Sequence, residues 1–203
     1  GQGVMSYNMY SYCGNNPVCR LDNAGYDWES FKKSFSKKWD DFTTRLSNRI
    51  SPNHDVPMYE QGATNLCWAY SQVMVEDSIA GVTHTQEEAD IRARELGEAL
   101  NGEDNWDAPG WPSNTGERIV VDDFYDVAIA VTDSPVYATY NNGTSIGHMV
   151  VVTGVDLKNK TIFINNPWGD SGGLTYDEFM QGFPGEDETV SDYSFVAIWD
   201  VAS

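Results

Sequence analysis

Of the three cysteines and three histidines in this chain, one of each stands where nucleophilic chemistry could be placed. Cys67 has no neighbouring cysteine and lies where an apolar-patterned helix should begin, near Leu66. A thiol reacts as its thiolate, and a helix N-terminus or a nearby base favours that form. His148 opens the β-branched run His148-Met149-Val150-Val151-Val152-Thr153-Gly154-Val155, directly after the flexible stretch 141–147. His54 and His84 lie in polar, loop-like sequence and are expected to be solvated. A cysteine and a histidine brought together would perform acyl transfer, the sulfur attacking a carbonyl while the imidazole moves the proton. Alone, the pair is a weak signal.

The flanking residues strengthen it. Gln61-Gly62-Ala63-Thr64-Asn65-Leu66-Cys67-Trp68-Ala69-Tyr70-Ser71 closely resembles the active-site segment of papain-like cysteine proteases. His148-Met149-Val150-Val151-Val152-Thr153-Gly154 is similar to that family's His-led strand, and Asn166-Pro167-Trp168-Gly169 to its Asn-Ser-Trp-Gly motif, with Pro167 in place of Ser. The order Gln, Cys, His, Asn is also the family's, and four matched elements in order are far more specific than any one.

The resemblance implies Cys67 as nucleophile, His148 as acid and base, and Asn166 as the residue that orients the imidazole. It implies Gln61 and the Cys67 backbone N–H as oxyanion donors, with Trp68 and Trp168 in support. Trp168 would shield the imidazole hydrogen bond from water, strengthening it in a lower dielectric. The Cys67 thiol is then expected to have a strongly depressed pKa, through pairing with protonated His148 and the helix dipole.

The chain departs from the plant enzymes in three places. Cys67 and His148 are only 81 residues apart, Thr64 stands where those enzymes carry a disulfide cysteine, and Asn65-Leu66 replaces a small Gly-Ser pair. It looks more like compact bacterial members: staphopain-like enzymes, secreted effector proteases and C39-like peptidases. The likeness covers about Pro57 to Val201. It implies a secreted endopeptidase working through an acyl-enzyme, with no cofactor and a protein or peptide as substrate. The same acyl-enzyme could instead serve transfer or isopeptide cleavage, and a silent papain-like binding module is the alternative of a different class.

The elements that must carry these residues follow from periodicity. A helix is expected from about Leu66 to Ile79, ending at Gly81, and another over Thr85 to Leu100 behind an acidic first turn. Residues 101–115 read as a loop, and Asp122 to Val131 as a further helix. After Pro135 the pattern turns to strands: Val136 to Tyr140, His148 to Val155, a tight turn at 156–160, Thr161 to Asn165, and Tyr193 to Val201. Helices followed by an antiparallel sheet indicate an α+β fold, the helical half carrying Cys67 and the sheet half His148 and Asn166.

The first fifty residues look different. Trp28, Phe31, Phe35, Trp39, Phe42, Leu46 and Ile50 recur at steps of three and four, which predicts an amphipathic helix capped by Asp27. This segment has a net charge of +2, whereas residues 51–203 carry −21. The expected organisation is an N-terminal extension over 1–56 and a peptidase domain over 57–203, as a monomer.

The overall charge of −19 repels nucleic acid and anionic membrane, and no basic stripe offsets it. No apolar run approaches the roughly 20 residues of a membrane span, and residues 1–12 show no signal peptide. Cys13 and Cys19 flank a turn-rich loop that could bring them within disulfide range; a bridge is expected over two free thiols, and would place the protein outside the cytoplasm. The acidic clusters at 101–107 and 185–188 do not match a dedicated calcium loop and are expected to be solvated surface.

Overall fold

The computed structural model describes residues 51–143, 147–184 and 192–202. The expected helix from Asp27, the Cys13–Cys19 pair and the acidic run 185–188 lie outside the described residues.

Among the described residues, two long helices come first. α1, Cys67–Ala80, is buried along most of its length and stops at Gly81, whose φ of 65° is the left-handed conformation that glycine adopts without strain. α2, Gln86–Asn101, buries only Ala89, Ala93 and Gly97. These small residues recur every fourth position, so they form one narrow stripe. A Cβ at Gly97 would run into the Trp106 carbonyl, so the following turn, which includes the short 3-10 segment Glu103–Asn105, packs directly on the helix.

The remaining chain forms a six-stranded antiparallel sheet. Its strands are β1 (Thr115–Ile119), β2 (Val136–Asn141), β3 (Gly147–Asp156), β4 (Thr161–Asn166), β5 (Asp170–Thr175) and β6 (Ser194–Val201), in spatial order β1-β6-β2-β3-β4-β5. Two short helices, α3 (Phe124–Ala130) and α4 (Tyr176–Gln181), accompany them. The α+β expectation therefore matches the observed fold.

β3 lies between two hydrophobic cores, which explains its nearly unbroken apolar run. Met149 and Val151 pack with α1 residues such as Trp68, Val73 and Met74 on one face. Val150 and Val152 pack with Phe124, Val127 and Phe179 on the other. Successive side chains point to opposite faces, so a strand covered on both sides must be apolar at every step. The 51–56 segment joins the same strand: Asn53 bridges Gly154, and the His54 N–H donates to the Thr153 carbonyl.

β1, β5 and α4 were not expected from the sequence. β1 and β5 are the two edges of the sheet, and neither has a fully buried residue. Their sequences, Thr-Gly-Glu-Arg-Ile and Asp-Ser-Gly-Gly-Leu-Thr, show no apolar alternation to read. α4 has six residues, too few for a periodic signal.

Candidate active site

Cys67 is the first residue of α1, and the way that helix begins is unusual for this chain. α2, α3 and α4 each open with a capping box: Thr85 with Glu88, Asp123 with Asp126, and Thr175 with Glu178. α1 instead follows Leu66, which offers no side-chain acceptor, and no acidic residue occupies its first turn. An uncapped N-terminus leaves backbone N–H groups and the positive end of the helix dipole available to another acceptor. The local capping rule is broken at the nucleophile candidate and at no other α-helix among the described residues.

His148 and Asn166 come from neighbouring strands. His148 lies near the start of β3 and Asn166 ends β4; both are buried. His148 Nε2 and Asn166 Oδ1 are 2.8 Å apart, and the same oxygen accepts the Trp168 backbone N–H at 3.0 Å. Because that N–H can only donate, the Asn166 atom facing it must be the carbonyl oxygen. Nε2 must then carry the proton, which leaves Nδ1 as the basic nitrogen. The Trp168 ring stacks on the imidazole at 3.7 Å between centroids and 15° between planes, and Phe183 and Tyr193 meet it edge-on.

Gln61, Cys67, Trp68, His148 and Trp168 all line one cleft of about 680 Å³; Asn166 lies behind it. The structure thus brings together all six residues singled out in the sequence. Trp68 is buried, its indole N–H has no hydrogen-bond partner among the described residues, and a Cβ at Gly110 would run into its ring. Trp111 and Trp199 also line the cleft and meet edge-to-face at 5.1 Å. The sequence did not point to these two, because isolated tryptophans carry no spacing signal. None of the described residues lining the cleft is Asp, Glu, Lys or Arg.

Gln61 is held by its backbone and its side chain alike. Its N–H donates to the Pro167 carbonyl at 2.7 Å, and its carbonyl accepts the Thr64 hydroxyl at 2.8 Å. Its Nε2 donates one hydrogen to the Thr64 carbonyl, while Oε1 is buried without a partner among the described residues. The second Nε2 hydrogen has no acceptor among the described residues.

The ionisation of the two reactive groups differs from the expected ion pair. Burial pushes the Cys67 thiol up to about 11, although backbone N–H groups of Met149, Trp68 and Cys67 itself pull the other way. Burial pushes His148 down to about 4, with the Asn166 hydrogen bond opposing it. Burial thus works against the depressed thiol that the resemblance implies, although Cys67 is only half-buried and lines the cleft. A helix start is legible in a sequence, but the depth at which it is buried is not, and desolvation of the charged form is the larger effect here.

The other two histidines are also less solvated than expected. His54 Nε2 lies 2.8 Å from the Val131 carbonyl. His84 Nδ1 lies 2.8 Å from buried Asp77, which also accepts from the Tyr59 hydroxyl and the Arg92 guanidinium. Their partners are distant in sequence, so local polarity concealed them. The acidic stretch 101–107 forms the 3-10 segment and a turn in which Asp107 accepts the Asn65 N–H at 2.7 Å. Among the described residues no group of three or more His, Cys, Asp or Glu side chains could hold a metal ion.

An α+β fold with a cysteine opening the buried helix and a hydrogen-bonded His–Asn pair across the cleft defines the papain-like class of cysteine peptidase. The chain belongs to the Peptidase_C39 like family, whose model matches residues 53–186. It is accordingly a hydrolase that acts on peptide or protein substrates. No curated protein matches it.

Proposed function

We propose that the chain is a cysteine endopeptidase in which Cys67, His148 and Asn166 form the catalytic triad and Gln61 completes the oxyanion hole. The observation that carries this reading is the pair of donors on Asn166 Oδ1. They fix the His148 tautomer and leave Nδ1 basic in the cleft that Cys67 also lines.

The steps follow from that geometry. His148 Nδ1 takes the thiol proton as Sγ attacks the substrate carbonyl carbon. The resulting oxyanion accepts from the Cys67 backbone N–H and from the uncommitted hydrogen of Gln61 Nε2, each such donor contributing about 3 kcal/mol. His148 returns its proton to the leaving amine as the C–N bond breaks, leaving a thioester on Cys67. Water then attacks the thioester, giving its proton to His148, and the carboxylic acid departs as the thiol is restored. Trp168 covers the imidazole, keeping its bond to Asn166 out of water.

Hydrolysis is favoured over a silent binding role because, among the described α-helices, only the one that Cys67 opens is left uncapped. An epoxide inhibitor of papain-type enzymes tests the reading: it should label Cys67 and fail on Cys67→Ala. Labelling elsewhere, or none, contradicts it. Peptide products with free termini would separate hydrolysis from transfer to an amine. Export from the cytoplasm belongs to the same proposal and is supported by the Cys13–Cys19 pair alone. The two-part organisation, with an extension over 1–56, is likewise proposed from charge and periodicity.

A further inference from the structure

The segment that carries Gln61 is tied down on two sides by different elements. On one side its N–H donates to Pro167, next to Asn166. On the other, the carboxamide of Gln86, the first residue of α2, grips the backbone of Glu60. Gln86 Oε1 accepts the Glu60 N–H at 3.0 Å, and Nε2 donates to the Glu60 carbonyl at 2.8 Å. A side-chain amide pairing with both polar groups of one residue fixes the orientation of that residue's peptide planes as well as its position. The Gln86 amide is itself oriented, since Nε2 also donates to Asp90 Oδ1 at 2.6 Å, and that oxygen accepts the Tyr70 hydroxyl at 2.8 Å. Tyr70 stands three residues after Cys67 on α1. All four backbone polar groups of Glu60 and Gln61 are thus engaged: with Gln86, Pro167 and Thr64.

We propose that Gln86, held by Asp90 and Tyr70, is a positioning residue for the Gln61 carboxamide in the oxyanion hole. The inference rests on the triad reading above. An oxyanion donor is effective only if it is already aimed where charge develops, and a loop that must reorganise during the reaction loses that advantage. Gln86 touches neither the cleft nor the thiol–imidazole pair; it acts through the 60–61 backbone. Gln86 and Glu60 are exposed, so removing the amide changes orientation more than overall stability.

The test is a double-mutant cycle on a peptide drawn from a fluorescence-quenched library, using the full chain. Gln61→Ala should lower kcat by about 10²-fold, which checks the underlying reading. Gln86→Ala should lower kcat about tenfold with KM nearly unchanged, and Asp90→Ala should do so to a smaller degree. In the Gln61→Ala background both should become silent, because the residue they position is gone. Iodoacetamide should alkylate Cys67 at the wild-type rate in Gln86→Ala. Exchange of the Glu60 and Gln61 amides should speed at least tenfold. Unchanged exchange or unchanged kcat in Gln86→Ala overturns the proposal, as does an equal loss with and without Gln61. If Gln61→Ala alone is harmless, the oxyanion role fails instead, and the exchange rates still report on the clamp.

Discussion

Asn166 presents a single carbonyl oxygen to two donors, His148 Nε2 at 2.8 Å and the Trp168 backbone N–H at 3.0 Å. The second bond is local, two residues along the chain, and holds the Asn166 amide with its oxygen towards the imidazole.

Unequal effects of triad substitutions follow. Cys67→Ala and His148→Ala should abolish turnover, since each removes a reacting group. Asn166→Ala should leave measurable activity, because the ring remains stacked on Trp168 and only its hydrogen-bonded anchor is lost. Steady-state kinetics on one peptide decides this; a dead Asn166→Ala enzyme that is still folded would give Asn166 more than an orienting role.

The pH dependence is set by burial. Turnover needs the pair holding one proton, shared between Sγ and Nδ1, and both forms of that state are overall neutral. His148 gains a second proton only near its lowered value of about 4, and the thiol is lost only near its raised value of about 11. The profile of kcat/KM should thus be level across the neutral range. Replacing the Asn166 acceptor with a carboxylate, Asn166→Asp, favours the imidazolium and should move the acid limb upward. An acid limb near 6.5 in the wild type would mean that burial does not govern His148.

The same depressed histidine affects the fold. Its unfolded form takes up a proton near 6.5, while the folded form resists until about 4. Its contribution to stability is therefore complete above the unfolded value and is lost as the pH falls towards the folded one. Thermal unfolding of wild type and His148→Phe between pH 4 and 7 should show the substitution reducing the slope. Parallel curves would contradict it.

The α+β class and the grouping of the candidate site residues were both legible in the sequence. Gln61, Cys67, His148 and Asn166 lie inside short motifs where neighbouring residue types are constrained together, so each could be placed by number. α1, α2 and β3 were legible because they are long and strongly patterned. β1 and β5 were not, because an edge strand buries little and has no alternation to show. The depth of Cys67, the Asp77–His84–Arg92 contacts and the Gln86 clamp depend on partners far apart in sequence, and no local pattern encodes those meetings.

The tryptophan wall predicts a binding effect distinct from a chemical one. Trp111 is partly exposed and lies edge-on against Trp199 in a stretch of cleft without charged side chains. Trp111→Ala should raise KM about tenfold for peptides with a bulky apolar residue near the scissile bond, the loss of roughly 1.4 kcal/mol of contact. Its kcat should change little. Equal KM values with apolar and small side chains would exclude the wall from substrate binding.

The central claim is that Cys67 becomes acylated by a peptide and is released by water. A mixed peptide library incubated with wild type and with Cys67→Ala, followed by sequencing of the products and intact mass of the protein, tests it most directly. New peptide termini are expected with the wild type alone, together with a transient acyl adduct on the Cys67 tryptic fragment. Cleavage that persists in Cys67→Ala, or a wild type that yields no products and no adduct, would contradict it.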